Sequence, residues 1–90
     1  MKTVQLIISG RVQGVYFRAF SQKQGVKRGV LGFVRNKTDG SVEVIASAAD
    51  TEQLQLFIDW CHKGPIMAKV KNVIINDYTT QEQFTQFEIR

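Results

Sequence analysis

The chain is poor in the residues that staple or metallate small proteins. Its 90 residues include one cysteine, one histidine and one proline. A lone cysteine, Cys61, excludes an internal disulfide framework and weakly favours a reducing compartment. Cys61 and His62 are neighbours on one predicted helix and supply no set of three or four metal ligands. His62 reads as a surface or capping residue. No apolar run approaches the ~18 residues of a membrane-spanning helix. The opening stretch MKTVQLIISG has one lysine, a short apolar run containing Gln5, and no Ala-x-Ala cleavage site. It reads as a strand rather than a signal peptide. A cytoplasmic protein that touches no membrane is expected. Internal repeats, low-complexity tracts and composition breaks are also lacking, so a single domain over 1–90 is expected.

What is present suffices for a core. Hydrophobic residues make up 43% of the chain and include six Phe and one Trp. A domain of this size buries only about 60 to 65% of its unfolded surface, so the core has to be efficient. Twelve Lys and Arg stand against eight Asp and Glu, a net charge of +4. That mild positive field favours phosphates, carboxylates or nucleic acid without choosing among them.

The elements follow from periodicity. TVQLIISG alternates, with Val4, Leu6 and Ile8 on one face, and reads as a strand. FRAFSQKQGVKR is fair helix material, although Gly25 costs it about 1 kcal/mol against Ala. Gly29 supplies the stop signal, with Lys27 and Arg28 in the last turn. VLGFVRN and SVEVIASA are strand-like, and Asp39-Gly40 between them marks a hairpin. DTEQLQLFIDWCHKG is the clearest helix. Asp50 can cap it with Gln53 as capping-box partner, and Leu54, Phe57, Ile58 and Cys61 recur at helical spacing. Gly64-Pro65 ends it. AKVKNVIINDY alternates imperfectly at Val70, Val73 and Ile75, and FTQFEIR closes the chain as a short strand. Trp60 and Phe57 are expected in the core, and Met67 is expected to pack. The order strand, helix, strand, strand, helix, strand, with a last strand or extension, predicts an α+β fold, the ferredoxin-like split βαβ sandwich. It has an antiparallel sheet with two helices on one face. That fold hosts many functions and settles none.

The stretch SGRVQGVYFRAF joins the first strand to the first helix. Its glycines let the backbone approach a ligand closely. Amides of a tight loop, together with the unpaired N–H groups of a helix start, suit an anion with several oxygens. Arg18 adds a forked cation at the same place. The stretch lacks the Gly-Lys-Ser/Thr ending of a nucleotide P-loop and is not a dinucleotide fingerprint. A tight connection with a surface arginine explains the same residues. Asn36, at the end of the second strand, equally fits a turn-initiating side chain. A shared site needs Asn36 beside the Gly10–Arg18 loop, a distance that composition does not fix.

GRVQGVYFR and GFVRNKTDGSVEV together resemble the two signatures of the acylphosphatase family. The first is similar to Gly-x-Val-Gln-Gly-Val-x-Phe-Arg at every fixed position. The second is similar to Gly-aromatic-Val-Arg-Asn-x-x-x-Gly-x-Val. The spacing between them, KGP at residues 63 to 65 and FEIR at the end also fit, so the resemblance covers essentially the whole chain. Two departures stand away from the matched positions. Ala48 replaces a usual glycine after Val42, and Gly25 replaces a usual alanine in the first helix. They bear on local backbone geometry and helix stability.

The resemblance implies hydrolysis of acyl phosphates to a carboxylate and inorganic phosphate, with neither metal nor cofactor. Carried onto this chain, it implies that the backbone amides of Arg11, Val12, Gln13, Gly14, Val15, Tyr16, Phe17 and Arg18 cradle the phosphate. The Arg18 guanidinium would hold its oxygens, and the Asn36 side-chain amide would position the attacking water. The implied partners are a small-molecule acyl phosphate, and inorganic phosphate as product and inhibitor, acting on a monomer. The shallow loop site implies little selection for the acyl group. Arg11, Arg35 and Lys37 either steer substrate or are solvated surface charges. An RNA-binding module shares the fold order, and RGVLGFVRN superficially resembles an RNA-contact strand. Its register is off by one residue, VQLIIS offers no second aromatic motif, and +4 is modest. A regulatory or carrier domain that retains the site without using it is the third class.

Overall fold

A computed structural model describes residues Met1–Arg90. Seven elements appear in the expected order: β1 (Lys2–Arg11), α1 (Phe17–Arg28), β2 (Leu31–Asn36), β3 (Val42–Ala48), α2 (Thr51–Lys63), β4 (Lys69–Asp77) and β5 (Phe87–Ile89). The five strands form one sheet in the order β4-β1-β3-β2-β5. Both helices share one apolar cluster with the same sheet face. Val4, Leu6 and Ile8 of β1, Val34 of β2 and Val42, Val44 and Ala46 of β3 meet Phe17 of α1 and Leu54, Phe57, Ile58 and Cys61 of α2.

The ladders β1–β3, β1–β4 and β2–β3 are antiparallel. The expected antiparallel sheet needs correction at one edge. β5 runs parallel to β2, with Gly32, Phe33 and Val34 opposite Phe87, Glu88 and Ile89. Parallel neighbours need a long crossover between them, and β3, α2 and β4 together provide it. The edge strand is anchored by its side chains. Phe87 is buried against Phe57, with ring centroids 5.5 Å apart. Burying a phenylalanine contributes about 1.5 to 3 kcal/mol.

Local signals account for the helix ends. Gly29 closes α1 in the left-handed region (φ 69°), where its N–H and that of Val30 satisfy the Val26 and Gly25 carbonyls. The Asp50 carboxylate caps α2 by accepting from the Glu52 and Gln53 amides at 3.0 and 3.2 Å, while the reciprocal Gln53 side-chain bond of the expected capping box does not form. Gly25 is not the weak point its propensity suggests. It is buried, and a Cβ at this position would stand 2.7 Å from the Phe87 ring. Ala48 fits without strain as the buried last residue of β3, opposite Lys2.

The other sheet face buries Ile45 and Phe33 and surrounds them with polar contacts of its own. Glu43 accepts from Arg35 Nε at 2.5 Å and from Gln5 Nε2 at 2.7 Å. Burial raises the Glu43 carboxyl, but the Arg35 and Gln5 hydrogen bonds outweigh it and hold the group below its ordinary value. Phe33, the aromatic an RNA-contact strand would offer, is only 8% exposed. The Phe84 ring and the Arg90 guanidinium cover it, their centres 6.1 and 4.2 Å from its centroid. Arg90 is in turn held by Glu82 and by Glu88. Trp60 packs at the margin of the core against Phe17, as expected. Met67 does not pack: the turn after Pro65 carries Ile66 and Met67 outward, leaving Met67 half exposed. His62 lies on the surface with Nδ1 3.1 Å from the Ile58 carbonyl.

Candidate active site

Strand order decides what meets at the end of the sheet. β3 lies between β1 and β2 and is antiparallel to both, so β1 and β2 run in the same direction. Their C-terminal ends, and that of β5, therefore share one end of the sheet. The loop after β1, the last residue of β2 and the last residue of β5 are brought together there. One open pocket of about 450 Å³ is lined by Val12, Gly14, Tyr16, Phe17, Arg18, Ala19, Asn36 and Ile89.

The loop is shaped by alternation between inward side chains and outward backbone. The side chains of Val12, Val15 and Phe17 are buried in the core. They pin the loop from below, and Val12 and Phe17 also form part of the pocket lining. Between them Gly14 (φ 74°) and Tyr16 (φ 64°) adopt left-handed conformations. Left-handed residues set among right-handed or extended ones turn successive amides toward a common point. Gly10 serves the entry to the loop. It sits at a bulge in the β1–β4 ladder with φ 122°, and a Cβ there would meet the Lys69 carbonyl at 2.2 Å.

The amides of residues 12–19 find no acceptor in the protein. The first hydrogen bond of α1 is from Phe20 N–H to the Tyr16 carbonyl at 3.1 Å, and none is donated by the residues before it in the loop. The two helix starts differ in kind. α2 has the Asp50 carboxylate on its first amides, whereas α1 has no side-chain cap and no acidic residue in its first turn. Orphan amides, the positive end of the helix dipole and an adjacent arginine are the chemistry that suits an anion. The Arg18 guanidinium and the Asn36 side chain form no hydrogen bond or ion pair within the protein, so both are free to bind a ligand.

Gln13 does something the sequence did not disclose. Its side-chain amide donates to the Lys37 carbonyl at 2.8 Å and to the Ser41 carbonyl at 2.9 Å. This ties the loop to the β2–β3 hairpin next to Asn36. No spacing rule signals a contact across so much chain. The hairpin turn is fixed independently: Asp39 accepts from the Ser41 hydroxyl at 2.6 Å and amide at 3.0 Å. The Ser41 hydroxyl contact, followed by the amide contact, lowers the Asp39 carboxyl below its ordinary value.

The remaining expected residues divide. Arg11 is exposed at the end of β1 opposite Lys69 and does not line the pocket. Arg35 is committed to Glu43 on the far sheet face. Lys37 reaches the site through its carbonyl, held by Gln13. Ile89 and Ala19 line the pocket although no motif marked them. No three His, Cys, Asp or Glu side chains are gathered anywhere in the chain. Cys61 is buried, and burial pushes its thiol up, which leaves it unreactive.

Comparison with known proteins converges on one family. The family model described as Acylphosphatase matches residues 4–89. The chain is 45% identical to an acylphosphatase of Pasteurella multocida over 86 residues, covering 96% of this chain and 94% of that protein. It is 42% identical to an acylphosphatase of Actinobacillus pleuropneumoniae over 90 residues, covering 100% and 99% of the two chains. The crystal structure of acylphosphatase from Bacillus subtilis superposes with a TM-score of 0.93 at 34% identity, covering 100% of this chain and 99% of that one.

Proposed function

The chain belongs to the acylphosphatase family, whose members hydrolyse the carboxyl–phosphate bond, and on that premise we propose that the pocket between the 11–18 loop and Asn36 is where it does so. The observation that carries the assignment is the convergence on one pocket of acceptorless amides with two unpartnered side chains, Arg18 and Asn36. The loop amides and the Arg18 guanidinium bind the phosphoryl oxygens. The Asn36 carboxamide accepts a hydrogen from water and aims the oxygen lone pair at phosphorus, in line with the departing carboxylate.

The water oxygen forms a bond to phosphorus while the bond from phosphorus to the acyl oxygen breaks. The carboxylate leaves with that electron pair. Both water hydrogens end on the phosphate product, which leaves as dihydrogen phosphate. A carboxylate is a good leaving group, so no strong general acid is required. The transition state is loose, and catalysis is mainly positioning and stabilisation of charge on the peripheral oxygens. Backbone amides and a guanidinium fork supply that stabilisation without reorganising.

The reaction is proposed to need no metal or cofactor, with inorganic phosphate as product and competitive inhibitor. No helix is long and apolar enough to cross a membrane. We propose a monomer working in the cytoplasm, a reading supported by a pocket that is complete within one chain and by a sequence with one cysteine. The test is turnover of benzoyl phosphate in excess EDTA by the wild type and by Asn36→Ala. Brisk hydrolysis by the first and loss in the second is expected. Equal rates would remove Asn36 from the mechanism, and absence of turnover in both would overturn the assignment.

A further inference from the structure

The proposed phosphate cradle uses backbone and Arg18, yet the same pocket displays two apolar side chains that neither the core nor the cradle requires. Tyr16 lines the pocket with 68% of its surface exposed, and Ile89 lines it with 43% exposed. Tyr16 is also the only non-glycine residue with a positive φ. A bulky residue in that region is held against a backbone preference, and such strain concentrates at functional sites. The loop's other left-handed position, Gly14, meets the same backbone need with no side chain. The ring therefore serves something outside the fold. It contributes nothing to the buried cluster.

We propose that Tyr16 and Ile89 form the acyl subsite and give the enzyme a preference for acyl phosphates with an aromatic or bulky apolar acyl group over small ones. The inference rests on the reading that the loop and Arg18 hold the phosphate. The acyl carbon is then one bridging oxygen from phosphorus, so the acyl group lies across the pocket wall rather than in bulk solvent. A pocket of about 450 Å³ leaves room beside a phosphate for a ring. Covering exposed aromatic and aliphatic surface with an apolar group releases water, and offset ring contact adds to it. Phe20 is also half exposed on α1, but it does not line the pocket, which makes it a matched control.

The experiment compares kcat/KM for benzoyl phosphate and acetyl phosphate in the wild type, Tyr16→Ala, Tyr16→Phe and Phe20→Ala. Dividing variant by wild type cancels the different leaving-group chemistry of the two substrates. Tyr16→Ala should lower the benzoyl-to-acetyl ratio of kcat/KM about five- to tenfold relative to wild type, the size expected of one aromatic contact, whatever loss the two substrates share through the loop backbone. Tyr16→Phe and Phe20→Ala should keep the wild-type ratio. An unchanged benzoyl-to-acetyl ratio in Tyr16→Ala, including equal loss on both, assigns the ring to loop structure and overturns the proposal. Wild type inactive on both substrates overturns instead the underlying assignment of the site.

Discussion

Gln13 and Lys37 are joined across the site: the side-chain amide of the first donates to the backbone carbonyl of the second at 2.8 Å. Lys37 follows Asn36 directly, so the loop proposed to hold the phosphate and the residue proposed to hold the water are set relative to each other by this contact. Gln13→Ala should lower kcat about tenfold while weakening phosphate inhibition less than about threefold, because misalignment penalises attack more than binding. Initial rates with phosphate as inhibitor measure both quantities. The Lys37 and Ser41 carbonyls each keep a second donor, Gly40 N–H and Lys37 N–H respectively. The accompanying loss of stability is therefore modest, about 1 kcal/mol.

Arg18 and Asn36 should separate in inhibition even though they agree in rate. Each alanine variant should lose at least about 10²-fold in kcat/KM. Arg18→Ala should also raise the inhibition constant for phosphate, whereas Asn36→Ala should leave it nearly unchanged. Arg18→Lys should not rescue, since the fork is lost. Normal inhibition by phosphate in Arg18→Ala would place the guanidinium outside the anion site.

Gly25→Ala should destabilise the fold although alanine is the better helix former. The helix gain is about 1 kcal/mol. Against it stands a methyl group 2.7 Å from a buried ring that cannot move freely. Overpacking of this kind costs about 1 to 3 kcal/mol, so the net change is a loss. Urea unfolding monitored by Trp60 fluorescence reads it directly. The paired variant Gly25→Ala with Phe87→Leu should recover part of the loss.

Glu43 should contribute to acid sensitivity. Its folded value lies below the ordinary glutamate value of 4.5, because the Arg35 and Gln5 hydrogen bonds outweigh burial. A depressed carboxyl stabilises the fold fully above the unfolded value and loses that contribution as pH falls from 4.5 through the folded value. Glu43→Gln should flatten the stability profile within that window. Unfolding midpoints of both proteins between neutral pH and pH 3 would show the difference, and parallel profiles would assign the acid slope to other carboxyls.

The parts of the fold that were legible are those whose physics is local. The Leu54–Cys61 periodicity, Asp50 as cap, Gly29 as stop and Asp39-Gly40 as turn each act within a few residues, and each element formed as read. The parallel β5 was not legible. Three residues cannot show a period, and strand direction depends on a partner far away in sequence. Gly25 looked unfavourable for the same reason, since the Phe87 ring that requires it arrives from the other end of the chain. In the site, the loop's suitability for an anion was readable from Gly10, Gly14 and Arg18. Its proximity to Asn36 was not, because that follows from β3 inserting between β1 and β2. Gln13 was grouped with its neighbours as a backbone donor, and its side-chain reach to the hairpin had no local signature.

The parallel edge also orders events in time. Pairing Val34 with Ile89 closes more than half the chain into a loop, an entropic cost that has to be met before the contact gives any return. β4 closes a longer loop still, from Val4 to Asp77, so both edge strands wait on distant chain while the β2–β3 hairpin needs only its own turn. Ile89 sits on the three-residue β5, whereas the 12–17 turn follows directly on β1 and is pinned by Val12, Val15 and Phe17 in the core. The two walls of one pocket consequently come from opposite ends of the chain. The wall proposed for the phosphate assembles beside its own strand, and the wall proposed for the acyl group is in place only once the far end of the chain has docked through Phe87.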